Sequence, residues 1–424
     1  MRTTVRERSD VALGLFNDRL IGRDWIALDY PTVADVATFP AISQCGDGDI
    51  SLHGYDAIEA WDAAPNDRGG AAVSDEIILE RKGRVGSVTL NRPKALNALT
   101  QPMVLGLDAR LKEWAEDPAI SVVVVRGAAR DDGRVPFCAG GDIRLLYGEQ
   151  DDPDRHFATV FYAQEYRLNT FIFRYPKPYV ALIDGVVMGG GVGISIHGSH
   201  RVMTERALFA MPETGIGLFP DVGATYFLPR LTGKAGLYLG LTGARIGAAD
   251  SLYLGLATHV VASDALQALD ETLLAADSGS DAHAAIDRLL ANCAADPGPA
   301  SLAARQAEID RCFAAGSVEE IVANLEAEGS DWAAETLATL RQKSPTSLKV
   351  SFKQLTAYGE RDFEEAMALE YRLAMHCNLG VDFFEGIRAQ IVDKDRNPAW
   401  RPARLEEVTA ATVDAYFESR PRAT

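Results

Sequence analysis

No Cys-x-x-Cys pair occurs in this chain, and its five cysteines (Cys45, Cys138, Cys293, Cys312 and Cys377) are scattered and odd in number. That spacing indicates neither a disulfide framework nor a zinc ribbon, and it reads as the reduced thiols of a cytoplasmic protein. Long apolar runs are missing too. No stretch approaches the roughly 18 apolar residues that a membrane-spanning helix needs. Positive charge is the minority sign: 42 Lys and Arg stand against 60 Asp and Glu, a formal net charge of −18. Nucleic acid and anionic membranes are therefore unexpected partners. No apolar segment follows Met1–Asp10, so a secretory signal is not expected. Histidine is scarce as well. His197 and His200 stand three apart, but no third ligand has sensible spacing, and no metal site is expected.

What remains is ordinary globular material, 47% hydrophobic and 24% charged over 424 residues. Three regions separate. Residues 1–65 read as a small helical extension, and 66–75, rich in small and turn residues, as a linker. Residues 76–262 alternate strand and helix signals, the mark of an α/β core. Glu76–Arg81 and Val85–Leu90 alternate around Lys82-Gly83 as a hairpin pair. Met103, Val104, Leu107, Leu111 and Trp114 give a helical face over Thr100–Glu116. Strands follow at Ser121–Val125, Tyr179–Ile183 and Arg201–Thr204, with helices at Asp154–Arg174 and Gly190–His197. Residues 263–424 are rich in alanine, leucine and charge and read as a helical C-terminal part, with Phe384, Ile387 and Ile391 on one face.

The chemistry concentrates in two glycine segments and one apolar segment. Gly189-Gly190-Gly191 opens a helix, where bare backbone N–H groups can face a ligand. Phe137-Cys138-Ala139-Gly140-Gly141-Asp142-Ile143 is the second glycine segment. Two N–H donors set around a carbonyl oxygen would make an oxyanion trap, each donor worth roughly 3–4 kcal/mol. Glu213 and Asp221 then lie in a stretch that is otherwise nearly all apolar or glycine. If both carboxylates face one pocket, apolar surroundings raise the pKa of at least one of them. The alternative readings are tight helix–sheet packing for the glycines and a capping or salt-bridged pair for the carboxylates. Cys138 is read as packing. Arg388 and Lys349 are read either as contacts to phosphate or as solvated surface charge.

Asn91–Leu99, Phe137–Ile143 and Gly189-Gly190-Gly191 resemble the crotonase (enoyl-CoA hydratase/isomerase) superfamily. Phe209–Gly223, Tyr226–Leu231, Ser344–Lys349, Glu370–Leu373, Phe384–Arg388 and Asp393–Trp400 are similar to its thioester-hydrolase branch. The resemblance implies a ββα spiral core closed by the C-terminal helices. It implies hydrolysis of a short-chain acyl-CoA, with 3-hydroxyisobutyryl-CoA the expected substrate, and no cofactor beyond the coenzyme A that the substrate carries. Carried over by position, it implies Gly141 and Gly190 as the oxyanion hole and Glu213 and Asp221 as catalytic. Glu165, Ala95, Ala139 and Asp142 are implied to bind substrate. Homo-oligomerisation stays open. Gly193 stands where hydratases carry a second glutamate, and is expected to leave room for the acyl group. A hydratase or isomerase, and a non-catalytic acyl-CoA-binding protein, are the alternatives. Within the first 65 residues, Gly22–Trp25, Tyr30–Pro40 and Tyr55–Trp61 resemble the end of a glutathione S-transferase helical domain, without the half that would bind glutathione.

Overall fold

The computed structural model describes residues 74–148, 150, 156–275 and 281–418. The expected helical extension over 1–65 and most of the linker lie outside the described residues. The first hairpin is present: β1 (Ile77–Lys82) pairs antiparallel with β2 (Val85–Leu90), closing at Lys82 opposite Val85. Five further strands are β3 (Val122–Gly127), β4 (Tyr179–Ile183), β5 (Val186–Met188), β6 (His200–Met203) and β7 (Leu208–Ala210). The short β8 (His259–Val260) ends the series. The main sheet runs β1-β2-β3-β4-β6-β8, parallel beyond the hairpin, while β5 and β7 pair separately.

The valine run of β3 shows why this sheet is covered on both faces. Val123 and Val125 point into the main core with Met103, Leu107 and Trp114. Val122 and Val124 point the other way, against Leu269, Leu273, Ile286 and Leu290 from the helical part. Successive side chains alternate faces, so a strand buried on both reads as an unbroken apolar run. The amphipathic α1 (Gln101–Glu116) supplies the inner cover through Met103, Leu107 and Leu111.

One long helix and one short one set up the site. α2 (His156–Phe173) crosses beneath the glycine segments; its expected start at Asp154 lies outside the described residues. α3 (Gly190–Gly193) is a single turn, shorter than the expected helix to His197. Ser195 explains the difference in part: its hydroxyl donates back to the Gly191 carbonyl at 2.8 Å, an internal bond of a kind that competes with helix continuation. Beyond β8 the described residues are helical. α4 (Asp331–Leu340), α5 (Pro345–Ala357) and α6 (Phe363–Cys377) bury Leu337, Leu348 and Tyr371 in the same core as β2 and α1. Asp362 caps α6 through the Glu365 N–H, and Ser344 caps α5 through the Ser347 N–H. Phe384 and Ile387 are buried as their spacing suggests, but the chain then widens into a π-helical turn at Arg388–Val392. No helix among the described residues is long and apolar enough to cross a membrane.

Candidate active site

A cavity of about 730 Å³ lies between the two glycine segments, α2, the Glu213–Asp221 segment and the C-terminal helices. Its floor comes from a local accident of backbone. Leu96 and Asn97 both adopt left-handed φ values, 53° and 57°. The Asn97 side chain holds that turn in place by donating to the Pro136 carbonyl at 2.7 Å and accepting from the Arg92 N–H at 2.9 Å. The Ala139 N–H then reaches the Leu96 carbonyl at 3.1 Å, and the Asp142 N–H the Leu99 carbonyl at 2.8 Å. Gly140, with φ 107°, lets the strand-like segment pass under Met188 and Gly189. The two glycine segments therefore meet. A methyl carbon added at Gly190 would stand 3.3 Å from the Gly141 nitrogen and collide with Glu165 Oε1.

Gly141, Gly190, Ala139, Glu165, Glu213 and Asp221 all line this cavity. Ala95 and Asp142 do not. Ala95 is exposed on the turn that supports Ala139, and Asp142 is ion-paired with Arg92 at 2.9 Å. Gly193 departs from expectation. It is buried one turn below the cavity, where an added Cβ would lie 2.8 Å from both Asn169 Nδ2 and Val222 Cβ. The space it frees is taken by protein, because α3 turns its fourth residue away from Gly190 and towards α2.

Three carboxyl groups share the cavity wall in a nearly dry setting. Glu165, Glu213 and Asp221 are 2%, 4% and 4% exposed. Burial, reinforced by the Asp221 charge, pushes the Glu213 and Glu165 carboxyls well above the usual range. Burial raises Asp221 to about 6, opposed by the hydroxyl of Tyr166, which donates to its Oδ2 at 2.7 Å. Oε2 of Glu213 and Oε1 of Glu165 have no hydrogen-bond partner in the protein. Buried polar atoms without partners mark a place where substrate or water is to be received. Lys343 brings a cation to the same wall. It is itself buried, its pKa drawn down by burial and up by the charge of Glu213. Such groups can divide acid and base roles because their surroundings push their proton affinities apart.

Tyr166 and Lys343 are the members that sequence reasoning missed. Tyr166 follows Glu165 directly on α2, and that adjacency was the available signal. Lys343 had none beyond its place before the Ser344 cap. The remaining candidates fall elsewhere. Arg388 is held by Glu385, Asp393 and Asp395, and Lys349 by Glu319 and the Val408 carbonyl, so both cations are already paired. Cys138 is buried, its thiol pushed to about 12 by burial. His197 donates to the Val222 carbonyl at 2.7 Å, and His200 bonds Asp287 at 3.0 Å. Among the described residues no group of three His, Cys, Asp or Glu side chains is placed to hold a metal.

A parallel spiral carrying two apposed glycine segments over buried carboxyls defines a crotonase-type acyl-CoA protein, and the chain belongs to the enoyl-CoA hydratase/isomerase family, whose model matches residues 85–417. Among curated proteins, the chain is 47% identical over 347 residues to the 3-hydroxyisobutyryl-CoA hydrolase, mitochondrial, of Danio rerio, covering 81% of this chain and 90% of that one. It is 45% identical over 349 residues to the protein of the same name from Homo sapiens, covering 82% and 89%. Solved structures agree on the fold. A carnitinyl-CoA dehydratase from Mycobacterium thermoresistibile superposes with TM-score 0.76 at 39% identity, covering 82% of this chain and 98% of its own. An enoyl-CoA hydratase from Rhodobacter sphaeroides gives 0.73 at 40%, covering 81% and 97%. The cytoplasmic reading is overturned here: the curated relatives are named as mitochondrial proteins. Reduced, scattered cysteines do not distinguish one reducing compartment from another.

Proposed function

We propose that this chain is an acyl-CoA thioester hydrolase that converts 3-hydroxyisobutyryl-CoA and water to 3-hydroxyisobutyrate and coenzyme A. The observation that carries the reading is the Glu213 and Asp221 pair, buried in the same cavity as Gly141 and Gly190. The relatives named for this hydrolysis, at 45–47% identity over most of both chains, support the substrate.

The thioester oxygen lies between the N–H groups of Gly141 and Gly190, which stabilise the negative charge that develops on it. Glu213 supplies the electron pair, either to a water proton or to the carbonyl carbon itself. The carbon–sulfur bond breaks, the thiolate takes a proton from the carboxyl groups, and water provides the oxygen of the product acid. Asp221, held by Tyr166, and Glu165 flank the acyl group. Ala139 passes the substrate's thioester arm along the floor. The reaction calls for no cofactor other than the coenzyme A already in the substrate.

Thiol release from a panel of acyl-CoAs tests the reading. Turnover of 3-hydroxyisobutyryl-CoA is expected to exceed that of unbranched chains. Glu213→Gln keeps the size of the side chain and removes the base, and is expected to lower kcat by about a hundredfold or more with the fold retained. Loss of enoyl absorbance from crotonyl-CoA without thiol release would make the chain a hydratase instead.

A further inference from the structure

Asp221 sits on a turn that its own backbone does not readily adopt. Val222 has φ 52° and Gly223 φ 94°, two left-handed residues in a row, the first of them β-branched. Such a conformation persists only where the surroundings over-determine it. The surroundings here come from distant parts of the chain. Glu370 on α6 accepts the Gly223 N–H on Oε2 at 2.6 Å and the Thr225 N–H on Oε1 at 2.8 Å. Gln354 on α5 donates from one nitrogen to the Pro220 carbonyl at 2.7 Å and to the Thr225 hydroxyl at 2.8 Å. His197 takes the Val222 carbonyl. Both Glu370 and Gln354 are fully buried.

Glu370 is an expensive choice for mere packing. Its bonds run to the backbone N–H groups of Gly223 and Thr225 and to the Thr225 side chain, and it forms no ion pair among the described residues. Burying an acid without a cation is costly unless its oxygens are used. Both are used, as a fork across the turn that ends in Asp221. On the opposite side of that turn the Asp221 carboxyl meets Tyr166 at the cavity.

We infer that Glu370 and Gln354 are positioning residues of the C-terminal helices that fix the Pro220–Thr225 turn and thereby aim Asp221 at the acyl group. The inference rests on the hydrolase reading above and deepens it. It gives the C-terminal helices a part in the reaction beyond closing the core. An acid at this place has a second consequence. Its charge raises the proton affinity of Glu213 and Tyr166, and the Asp221 charge raises that of Glu370 itself. Burial pushes Glu370 itself up to about 8, against the pull of the Gly223 and Thr225 bonds. Ionised only above about pH 8, it there makes Glu213 harder to ionise.

Two substitutions break the clamp, one removing the charge and one keeping it, tested in the full chain by thiol release across pH. Glu370→Gln removes the charge and points an N–H₂ at a backbone N–H. It is expected to lower kcat tenfold or more, to leave KM within threefold, and to move the acid limb of kcat/KM to higher pH, because Asp221 released from the clamp loses the Tyr166 bond that lowers its pKa. Glu370→Asp keeps the charge but is one methylene short of bridging both N–H groups. It is expected to lower kcat similarly and to move the acid limb the same way. Wild-type kcat in both variants, or a loss fully accounted for by the unfolded fraction, would overturn the inference. A carbon-13 titration of the Asp221 carboxyl reads the same clamp without turnover, so it stands even if the chain hydrolyses no thioester. An upward shift in Glu370→Gln, as Asp221 loses the Tyr166 bond, supports the clamp, and an unmoved Asp221 overturns it. Should Glu370→Gln not fold, Gln354→Leu takes its place: a tenfold fall in kcat at unchanged KM supports the clamp, and wild-type kcat overturns it.

Discussion

Tyr166 donates its phenolic hydrogen to Asp221 at 2.7 Å, and both side chains are buried. This bond is what keeps Asp221 near 6 when burial alone would carry it higher. Among the three cavity carboxyls, Asp221 is therefore the one most readily ionised near neutral pH. Its charge raises the proton affinity of both Glu213 and Glu165. The three titrate as a coupled set, and a pH–rate profile will report the set.

Tyr166→Phe follows from that relationship. Loss of a hydrogen bond to a charged group costs about 1.5–3 kcal/mol, which corresponds to a rise of about one to two pKa units in Asp221. The acid limb of kcat/KM is expected to move to higher pH by about one to two units, with activity at pH 7 reduced about two- to tenfold and largely regained on the alkaline side. A profile that superposes on the wild type would show that Asp221 is not the group behind the acid limb.

Lys343→Met tests the cation on the same wall. The Lys343 charge favours the ionised form of Glu213. Its removal is expected to raise the Glu213 pKa further, so that thiol release at neutral pH falls and recovers partly as pH is raised. Methionine keeps most of the volume, and thermal stability is expected to hold or rise because a buried ammonium is lost. A variant with unchanged rate at every pH would remove Lys343 from the electrostatics of the site.

The sequence made the strands, the two glycine segments and the pair of acids legible, because each writes a local signature. The valine run of β3 and the spacing of Met103, Leu107 and Leu111 carry their burial in their periodicity. Glu213 and Asp221 stood out as charges in apolar company. The orientation of side chains one turn along was not legible. The spacing of Glu165, Tyr166 and Asn169 says only that they share a helix, not that Tyr166 finds Asp221 across 55 residues. Lys343 enters the cavity wall by tertiary packing alone. Arg388 looked available for phosphate until the fold brought Asp393 and Asp395 back onto it.

Gly191→Ala probes the meeting of the glycine segments from the side away from the cavity. Its added carbon would collide with the Cys138 carbonyl oxygen and lie 2.8 Å from the Cys138 Cβ. Backbone cannot yield as a flexible side chain does, and overpacking of this kind costs about 1–3 kcal/mol. The melting temperature is expected to drop, and kcat with it, because Gly190 and Gly141 are displaced together. Unchanged stability would mean that the segments have slack between them.

Gly193→Glu puts the reading of that position to a direct test. From sequence, this glycine leaves room for the acyl group, and a glutamate there would stand beside Glu213. The structure instead packs Gly193 against Asn169 and Val222, away from the cavity lining. The first carbon of the new side chain already lies 2.8 Å from each of them, too close for either to stay in place. The carboxylate beyond it would be buried beside the turn that carries Asp221, with no cation to receive it. Overpacking and an unpaired buried acid together cost several kcal/mol. The expected outcome is a melting temperature lowered by about 5–10 °C, with hydrolysis reduced because Val222 is pushed and Asp221 moves with it. Hydration of crotonyl-CoA is not expected, since a water must be shared by two carboxylates that both face the substrate. A variant with wild-type melting temperature, or one that gains hydratase activity, would show that residue 193 reaches the acyl pocket after all.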